Sequence, residues 1–138
     1  MPLSNAMKAA VLNALYGKAQ LEVPNTLYIG LSVTTPNPDG SNFIEPDGNG
    51  YARVAVPNTS EYWAIATAAN PTVTANAKQI EFPEATGDWG TVTHWGIFDA
   101  ESEGILLDWA ELDTALEIGV GQAPRFRVGD LQTHLQNG

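Results

Sequence analysis

Short runs of alternating apolar and polar residues fill most of the chain after residue 25, and glycine or proline ends nearly every run. In the first run Leu27, Ile29 and Leu31 alternate with other residues until Pro36. Similar runs follow at 51–56, 77–83, 91–99, 105–112, 116–118, 126–128 and 130–135. A period of two indicates strands, and strands joined by turns without intervening helices favour antiparallel pairing. The sequence therefore predicts an all-β fold of about eight strands, either an antiparallel β-sandwich or a closed barrel.

One segment at the start of the chain has the period of a helix. Ser4 suits an N-cap, and apolar residues follow at intervals of four before Gly17. These residues are Met7, Val11 and Leu15. We expect one short N-terminal α-helix over residues 4–17, with this stripe covering one end or face of the sandwich. A chain of 138 residues fits a single domain over 1–138.

The strand pattern also predicts the core and the loops. The apolar residues that share a face in the alternating runs should be buried. They are Leu27, Ile29, Leu31, Val54, Val56, Ile80, Phe82, Ile97, Leu107 and Phe126. Pro36–Gly50 contains prolines and Asp-Gly pairs, which predict a long, ordered surface loop. The length of this loop invites a binding role. A second loop is expected over residues 57–76.

Charge and cysteine content exclude several classes of protein. Asp and Glu number 16 against 6 Lys and Arg, and the formal net charge is −10. No basic surface for phosphates or anionic lipids is therefore expected. The chain has no cysteine, which excludes disulfides and thiolate chemistry. No apolar run approaches the ~20 residues of a membrane span, and the start lacks a signal-peptide pattern. We expect a soluble protein that binds neither free nucleic acid nor membrane.

A catalytic site needs partner groups that this chain hardly supplies. The general base of a Ser-His-Asp type catalytic site would have to be His94 or His134. His94 lies beside Trp95 in the most apolar run, which favours a packed core or interface side chain. His134 is expected to be exposed. We expect no enzymatic activity, no metal and no cofactor.

Calcium is one alternative that the residues leave open. The acidic loop offers the oxygen ligands that calcium prefers, at Asp39, Glu45, Asp47 and Asn49. Their spacing fits no EF-hand, and turn chemistry explains Asp-Gly pairs without a metal.

Sugars are a second open alternative. Trp63 and Trp89 are expected on exposed loops, where they could stack on sugar rings as in a carbohydrate-binding module. Paired carboxylates could also flank a glycosidic bond, although the sequence does not define their separation. Such pairs are Asp88 with Asp99 and Glu101 with Glu103.

Arginines and one apolar strand indicate contacts with other groups or chains. Arg53, Arg125 and Arg127 lie in predicted strands, where arginine usually pairs with a carboxylate or crosses a subunit contact. The run 91–99 is apolar on both faces, and we expect a symmetric interface to cover one of them.

Several sequence blocks are distinctive enough to suggest a family. They are residues 26–36, 48–56, 80–86 and 89–99, of which Trp89–Asp99 is the most specific. These blocks resemble a family of small bacteriophage virion proteins usually labelled tail-fibre or minor tail proteins. The resemblance implies a structural protein that binds other virion proteins, and none of the blocks is a catalytic motif. By analogy with phage decoration and fibre proteins, we expect a homotrimer.

The absence of a fibrous repeat or heptad speaks against a whole fibre. We therefore expect a capsid decoration or cement protein, made in the bacterial host cytoplasm, that stabilises the lattice of the major capsid protein on the virion surface. A tail-fibre, minor tail or baseplate component is the alternative, and a glycan-binding module is the second alternative. The candidate interface residues are Met1, Pro2, Leu3, Ser4, Asn5, Pro38, Asp39, Phe43, Ile44, Glu45, Asp47, Arg53, His94 and Trp95. Deletion of residues 38–47 is expected to leave the sandwich folded.

Overall fold

The computed structural model describes residues 3–69 and 71–135, which form one helix and eight strands. The helix α1 covers Asn5–Leu15. The strands are β1 Thr26–Ser32, β2 Val54–Pro57, β3 Thr72–Ala75, β4 Ile80–Glu81, β5 Gly90–Phe98, β6 Leu106–Ile118, β7 Arg125–Phe126 and β8 Gln132–Leu135. No helix in this part of the chain is long and apolar enough to cross a membrane.

All strand pairs are antiparallel, as the alternating pattern predicts. A four-stranded sheet has the order β2-β1-β5-β6, and two smaller sheets pair β3 with β8 and β4 with β7. The all-β, sandwich-like class is confirmed. The described strands do not close into a barrel, so of the two predicted architectures the sandwich applies.

The main sheet contains β5 as a central strand between β1 and β6. Residues of both its faces are buried by the chain itself, including Val92, Trp95, Ile97 and Phe98. A strand covered on both sides reads as a continuous apolar run. The apolar character of residues 91–99 therefore gives no reason for a subunit contact, and the homotrimer stays a prediction without that support.

Most of the predicted core is buried in one cluster. The exceptions are Leu27, Val54 and Leu107, which are only partly buried. Leu27 and Leu107 line a cavity beside α1, and Val54 lies on the edge strand β2, so each lacks neighbours on one side. Alternation shows which face a residue is on, but not whether that face is covered along its whole length.

Helix α1 begins where its cap was predicted. The Ser4 side chain accepts a hydrogen bond from the backbone N–H of Met7 at 3.2 Å, which satisfies a free donor of the first turn. Met7 and Val11 are half-buried, but Leu15 is 71% exposed. The predicted stripe therefore covers the sheet only through its first two members, because the main contacts of α1 with the strands are with β6 and do not bury Leu15.

Two strand assignments differ from the sequence prediction. Thr72–Ala75 forms β3 inside the predicted loop 57–76. Threonine alternates with Val73 and Ala75 over only these four residues, a run too short to stand out from the loop around it. The runs 105–112 and 116–118 join in the single long strand β6. Even so, the partner of β5 jumps from Leu116 opposite Val92 to Glu111 opposite His94, so the residues between them form a bulge.

Candidate functional site

The loop between β1 and β2 and the start of α1 adjoin one another. The backbone N–H of Asn5 donates to the carbonyl of Pro38 at 2.9 Å, and the N–H of Ser4 donates to the carbonyl of Leu107 at 2.9 Å. The structure thus brings together the two segments that the sequence proposed as contact surfaces. Met1 and Pro2 lie outside the described residues.

Glu45 anchors this loop to the sheet through a cluster with Tyr51 and Arg53, here called the Glu45 cluster. Its carboxylate accepts from the Tyr51 hydroxyl at 2.6 Å and from Nε and Nη2 of Arg53, both at 2.9 Å. The Tyr51 hydroxyl in turn accepts from the N–H of Leu31 in β1. Burial and the neighbouring carboxylate raise the pKa of Tyr51, so it remains a donor at any physiological pH.

Arg53 connects the cluster to the hairpin between β5 and β6. Its Nη1 donates to the carbonyls of Ala100 and Glu103 at 2.8 and 2.9 Å. The guanidinium carbon lies 3.6 Å from the centre of the Phe98 ring, a cation–π contact. The predicted pairing of Arg53 with a carboxylate is confirmed. Arg127 lies beyond β7 and is 84% exposed, with its Nε 4.0 Å from a carboxylate oxygen of Asp130, and Arg125 is exposed in β7.

Two glycines that face each other across β1 and β5 make room for this loop. A Cβ on Gly30 would lie 2.8 Å from a Glu45 oxygen, and one on Gly96 would lie 2.6 Å from the Phe43 ring. Phe43 packs edge-on against Phe98, with ring centres 5.0 Å apart. Glycine inside a strand marks a close approach of this kind. The two glycines inside predicted strands were the signal in the sequence that could have located this loop contact, and a prediction of strands alone does not use it.

The loop residues divide into anchoring and exposed groups. Glu45 and Phe43 are partly buried and hold the loop, while Pro38, Ile44 and Asp47 are exposed. Glu45, one of the candidate interface residues, is therefore paired with Arg53 within the chain. It follows that deletion of residues 38–47 would remove an anchor of the sheet together with the exposed surface.

Asp39 serves a turn. Its carboxylate accepts from the hydroxyl of Ser41 at 2.6 Å and from the Ser41 backbone N–H at 2.9 Å. These two bonds hold the pKa of Asp39 below its usual value. Asp39 is thus engaged in turn chemistry and Glu45 in an ion pair, which leaves the calcium alternative without two of its four ligands. Among the described residues no group of three or more His, Asp or Glu has metal-binding placement.

Other candidate residues lie in the interior. His94 and Trp95 are 4% and 3% exposed, so the isolated chain does not present them to a partner. The Thr93 hydroxyl lies 2.8 Å from Nδ1 of His94. Burial lowers the pKa of the His94 imidazole. His134 is partly buried rather than exposed. Ser4, 1% exposed, acts as the helix cap.

The residues proposed for sugar binding are not arranged for it. Trp89 is 4% exposed and donates through its indole N–H to the carbonyl of Asn49, and Trp63 is partly buried in the wall of the cavity beside α1. Their expected exposure is wrong. Asp88 and Asp99 flank the nine-residue strand β5, so about 30 Å separates them, too far for a glycosidase pair. Glu101 and Glu103 lie on an exposed hairpin.

Asp108 was missed by the sequence analysis. It is 3% exposed in β6 and lines an apolar cavity of about 290 Å³ between α1 and the sheet. Its carboxylate accepts from the hydroxyl of Thr133 and from the N–H of Trp109. Burial outweighs these bonds and raises the pKa of Asp108 to about 6.

We expect Asp108→Asn to stabilise the protein above pH 6 and to have little effect in acid. The folded pKa of about 6 lies above the ordinary value of 3.8, so the folded chain binds this proton more tightly than the unfolded chain. The resulting stabilisation is full below pH 3.8 and is lost as the pH rises through 6. Its size is about 3 kcal/mol. Chemical unfolding of both proteins across this pH range measures the difference in their free energies of unfolding. A difference that stays the same at every pH would contradict the prediction.

Comparison with known proteins places the chain among phage virion structural proteins of fibre type. The family described as podophage GP4 fiber I protein gp80 matches residues 2–134, and the chain belongs to this family. A search of curated proteins finds no match.

Proposed function

We propose that the chain is a component of the phage fibre or of its attachment to the virion, and that it acts by binding other virion proteins without catalysis. The family match over residues 2–134 carries this proposal. It favours the fibre over the capsid decoration role that size and the lack of repeats suggested. The braced loop supports a binding role, because a surface held rigid in advance loses less conformational entropy on association.

The position in the virion is tested by labelling intact particles with gold-conjugated antibody and by counting copies against the major capsid protein. A fibre component should label the tail and be present in far fewer copies than the capsid protein. Label spread over the capsid, with copies approaching those of the capsid protein, would instead support decoration and overturn the proposal.

The exposed side chains of this loop are the proposed contact with a partner. Ile44 is 49% exposed, although its backbone N–H donates to the Ser32 hydroxyl and its carbonyl accepts from Val33. Its side chain is therefore free to contact a partner while its backbone holds the loop in place. Asp47 lies exposed nearby in the chain.

We expect Ile44→Asp to leave the fold intact and to lower incorporation into particles about tenfold or more, because a buried apolar contact would become a desolvated charge. Quantitative mass spectrometry of particles made with each variant measures incorporation. Val128→Asp is the matched control, since Val128 is 64% exposed in a different turn. Equal incorporation of the Ile44 variant and the parent would show that the loop is not the contact.

A further inference from the structure

Helix α1 is made mostly of apolar residues, yet none of them is fully buried in its own chain. Four Ala, two Leu, one Met and one Val make up eight of its 11 residues. They are not confined to one stripe, since Leu12 follows Val11 and lies about 100° around the helix from it. A helix with apolar residues on several sides is normally covered on more than one of them. We therefore expect a further contact for α1.

Residues 3–15, here called the arm, are tied to the rest of the chain mainly at their start. The N–H of Ser4 donates to the carbonyl of Leu107, and the N–H of Asn5 donates to the carbonyl of Pro38, both at 2.9 Å. At the other end of the arm, Leu15 is 71% exposed. The two bonds join backbone groups, which every copy of the chain presents in the same way.

The packing between the arm and the main sheet is incomplete. The cavity of about 290 Å³ lies between them, with Met7 of the arm and Leu27, Ile97 and Leu107 of the sheet in its wall. Side chains that face a cavity lose the contacts of a filled core, so less free energy is needed to separate the two surfaces. Release of the arm requires no change in the strands themselves.

The connection between the arm and β1 is long and exposed. Residues 17–23 are all exposed, and Asn58 holds the chain again at Pro24 and Asn25, where β1 begins. A Cβ on Gly17 would meet nothing within 4 Å, so the chain has room to change direction there. Seven extended residues span up to about 25 Å, which is enough to reach an adjacent copy.

We propose that the arm exchanges between copies of the chain, so that α1 of one copy packs on β6 of a second copy. The contacts that hold the arm are kept, because the second copy offers the same groups. Leu15, Tyr16 and Val23, which are 71%, 71% and 57% exposed, would be covered where two connections pass each other. Exchange closes as a dimer or as a larger ring. This contact is separate from the one proposed at Ile44, and neither requires the other.

Pairing of two α1 helices without exchange gives a much smaller contact. The 11 residues of α1 extend about 16 Å and a helix is about 10 Å wide, so one side of α1 covers roughly 160 Å². A stable interface buries about 800 Å² on each partner. Exchange adds the contacts of the arm with β6, with the loop at Pro38 and with the cavity wall, which favours it over simple pairing.

Two single-cysteine variants test the exchange, since the chain has no cysteine of its own. Asn5 and Pro38 are exposed, and their backbone bond places the two α-carbons about 5 to 6 Å apart, within reach of a disulfide. Asn5→Cys and Pro38→Cys chains, one of them tagged, are refolded together at about 10 µM, far below the millimolar effective concentration of thiols held in one assembly. Oxidation should then give the mixed disulfide in about tenfold or greater excess over a random pair.

The random pair is Asn5→Cys mixed with Val128→Cys, because Val128 is 64% exposed in a different turn. Equal yields of mixed disulfide from the two mixtures would overturn the inference. A chain that carries both Asn5→Cys and Pro38→Cys shows whether the two positions can be bridged. In exchanged assemblies its disulfides join different chains, and disulfides found only within single chains would count against exchange.

The length of the connection provides a second test that needs no cysteine. Deletion of residues 18–20 hinders the return of α1 to its own β6, so it should shift the protein to exchanged oligomers. Three glycines inserted after Gly17 should have the opposite effect and favour the closed monomer. Light scattering at about 100 µM protein measures the mass of each variant. A deletion variant that remains monomeric would overturn the inference.

Discussion

Replacing Arg53 with alanine is expected to lower the free energy of unfolding by about 3 to 5 kcal/mol. The side chain of Arg53 is only 6% exposed, and its loss leaves the Glu45 carboxylate partly buried without its cation. The carbonyls of Ala100 and Glu103 lose their donor at the same time. Denaturant unfolding followed by tryptophan fluorescence measures the change.

The control is the same substitution at Arg127, whose side chain is 84% exposed and lies 4.0 Å from Asp130. An exposed pair of this kind contributes little, so Arg127→Ala should unfold near the parent midpoint. Equal effects of the two substitutions would mean that the Glu45 cluster does not brace the loop. A double-mutant cycle of Glu45 and Arg53 measures the interaction free energy between the two side chains directly.

Phe82→Ala is expected to lower the free energy of unfolding by about 3 to 5 kcal/mol. Phe82 is 2% exposed, and its ring lies 6.1 Å from that of Phe126 and 6.4 Å from that of Tyr51. Truncation would leave a cavity between the β4–β7 sheet and the main sheet. A fall in Tm of about 10 °C or more should accompany this loss.

Ile65→Ala is the exposed counterpart, since Ile65 is 79% exposed and its truncation opens no cavity. Phe82→Leu should fall between the alanine variant and the parent, because it keeps most of the buried volume. A Phe82→Ala variant that unfolds with the parent would place the ring outside the core and contradict the packing described here.

The two predictions concern neighbouring regions, the Glu45 cluster and the hydrophobic core, and Tyr51 belongs to both. Tyr51 belongs to the Glu45 cluster through its hydroxyl and to the core through its ring, which contacts Phe82 and Trp89. The loop that carries the proposed partner contact is thereby braced directly on the hydrophobic core. A partner bound at Ile44 would load a rigid part of the protein and not a mobile segment.

The sequence by itself determined the secondary structure period, the fold class and much of the core. Alternation in Thr26–Ser32 and Gly90–Phe98 predicts strands because successive side chains point to opposite faces. The cap at Ser4 and the interior place of His94 likewise follow from local chemistry and local pattern. These features depend on neighbours along the chain, which the sequence displays directly.

Only the tertiary structure decided which polar and aromatic residues are available at the surface. Trp89 lies on a polar segment yet is buried, because a distant loop supplies the acceptor for its indole N–H. Glu45 is held by Arg53 over a sheet that Gly30 leaves open. Such contacts depend on strand order and register, which arise from packing of the whole chain and not from any local run of residues.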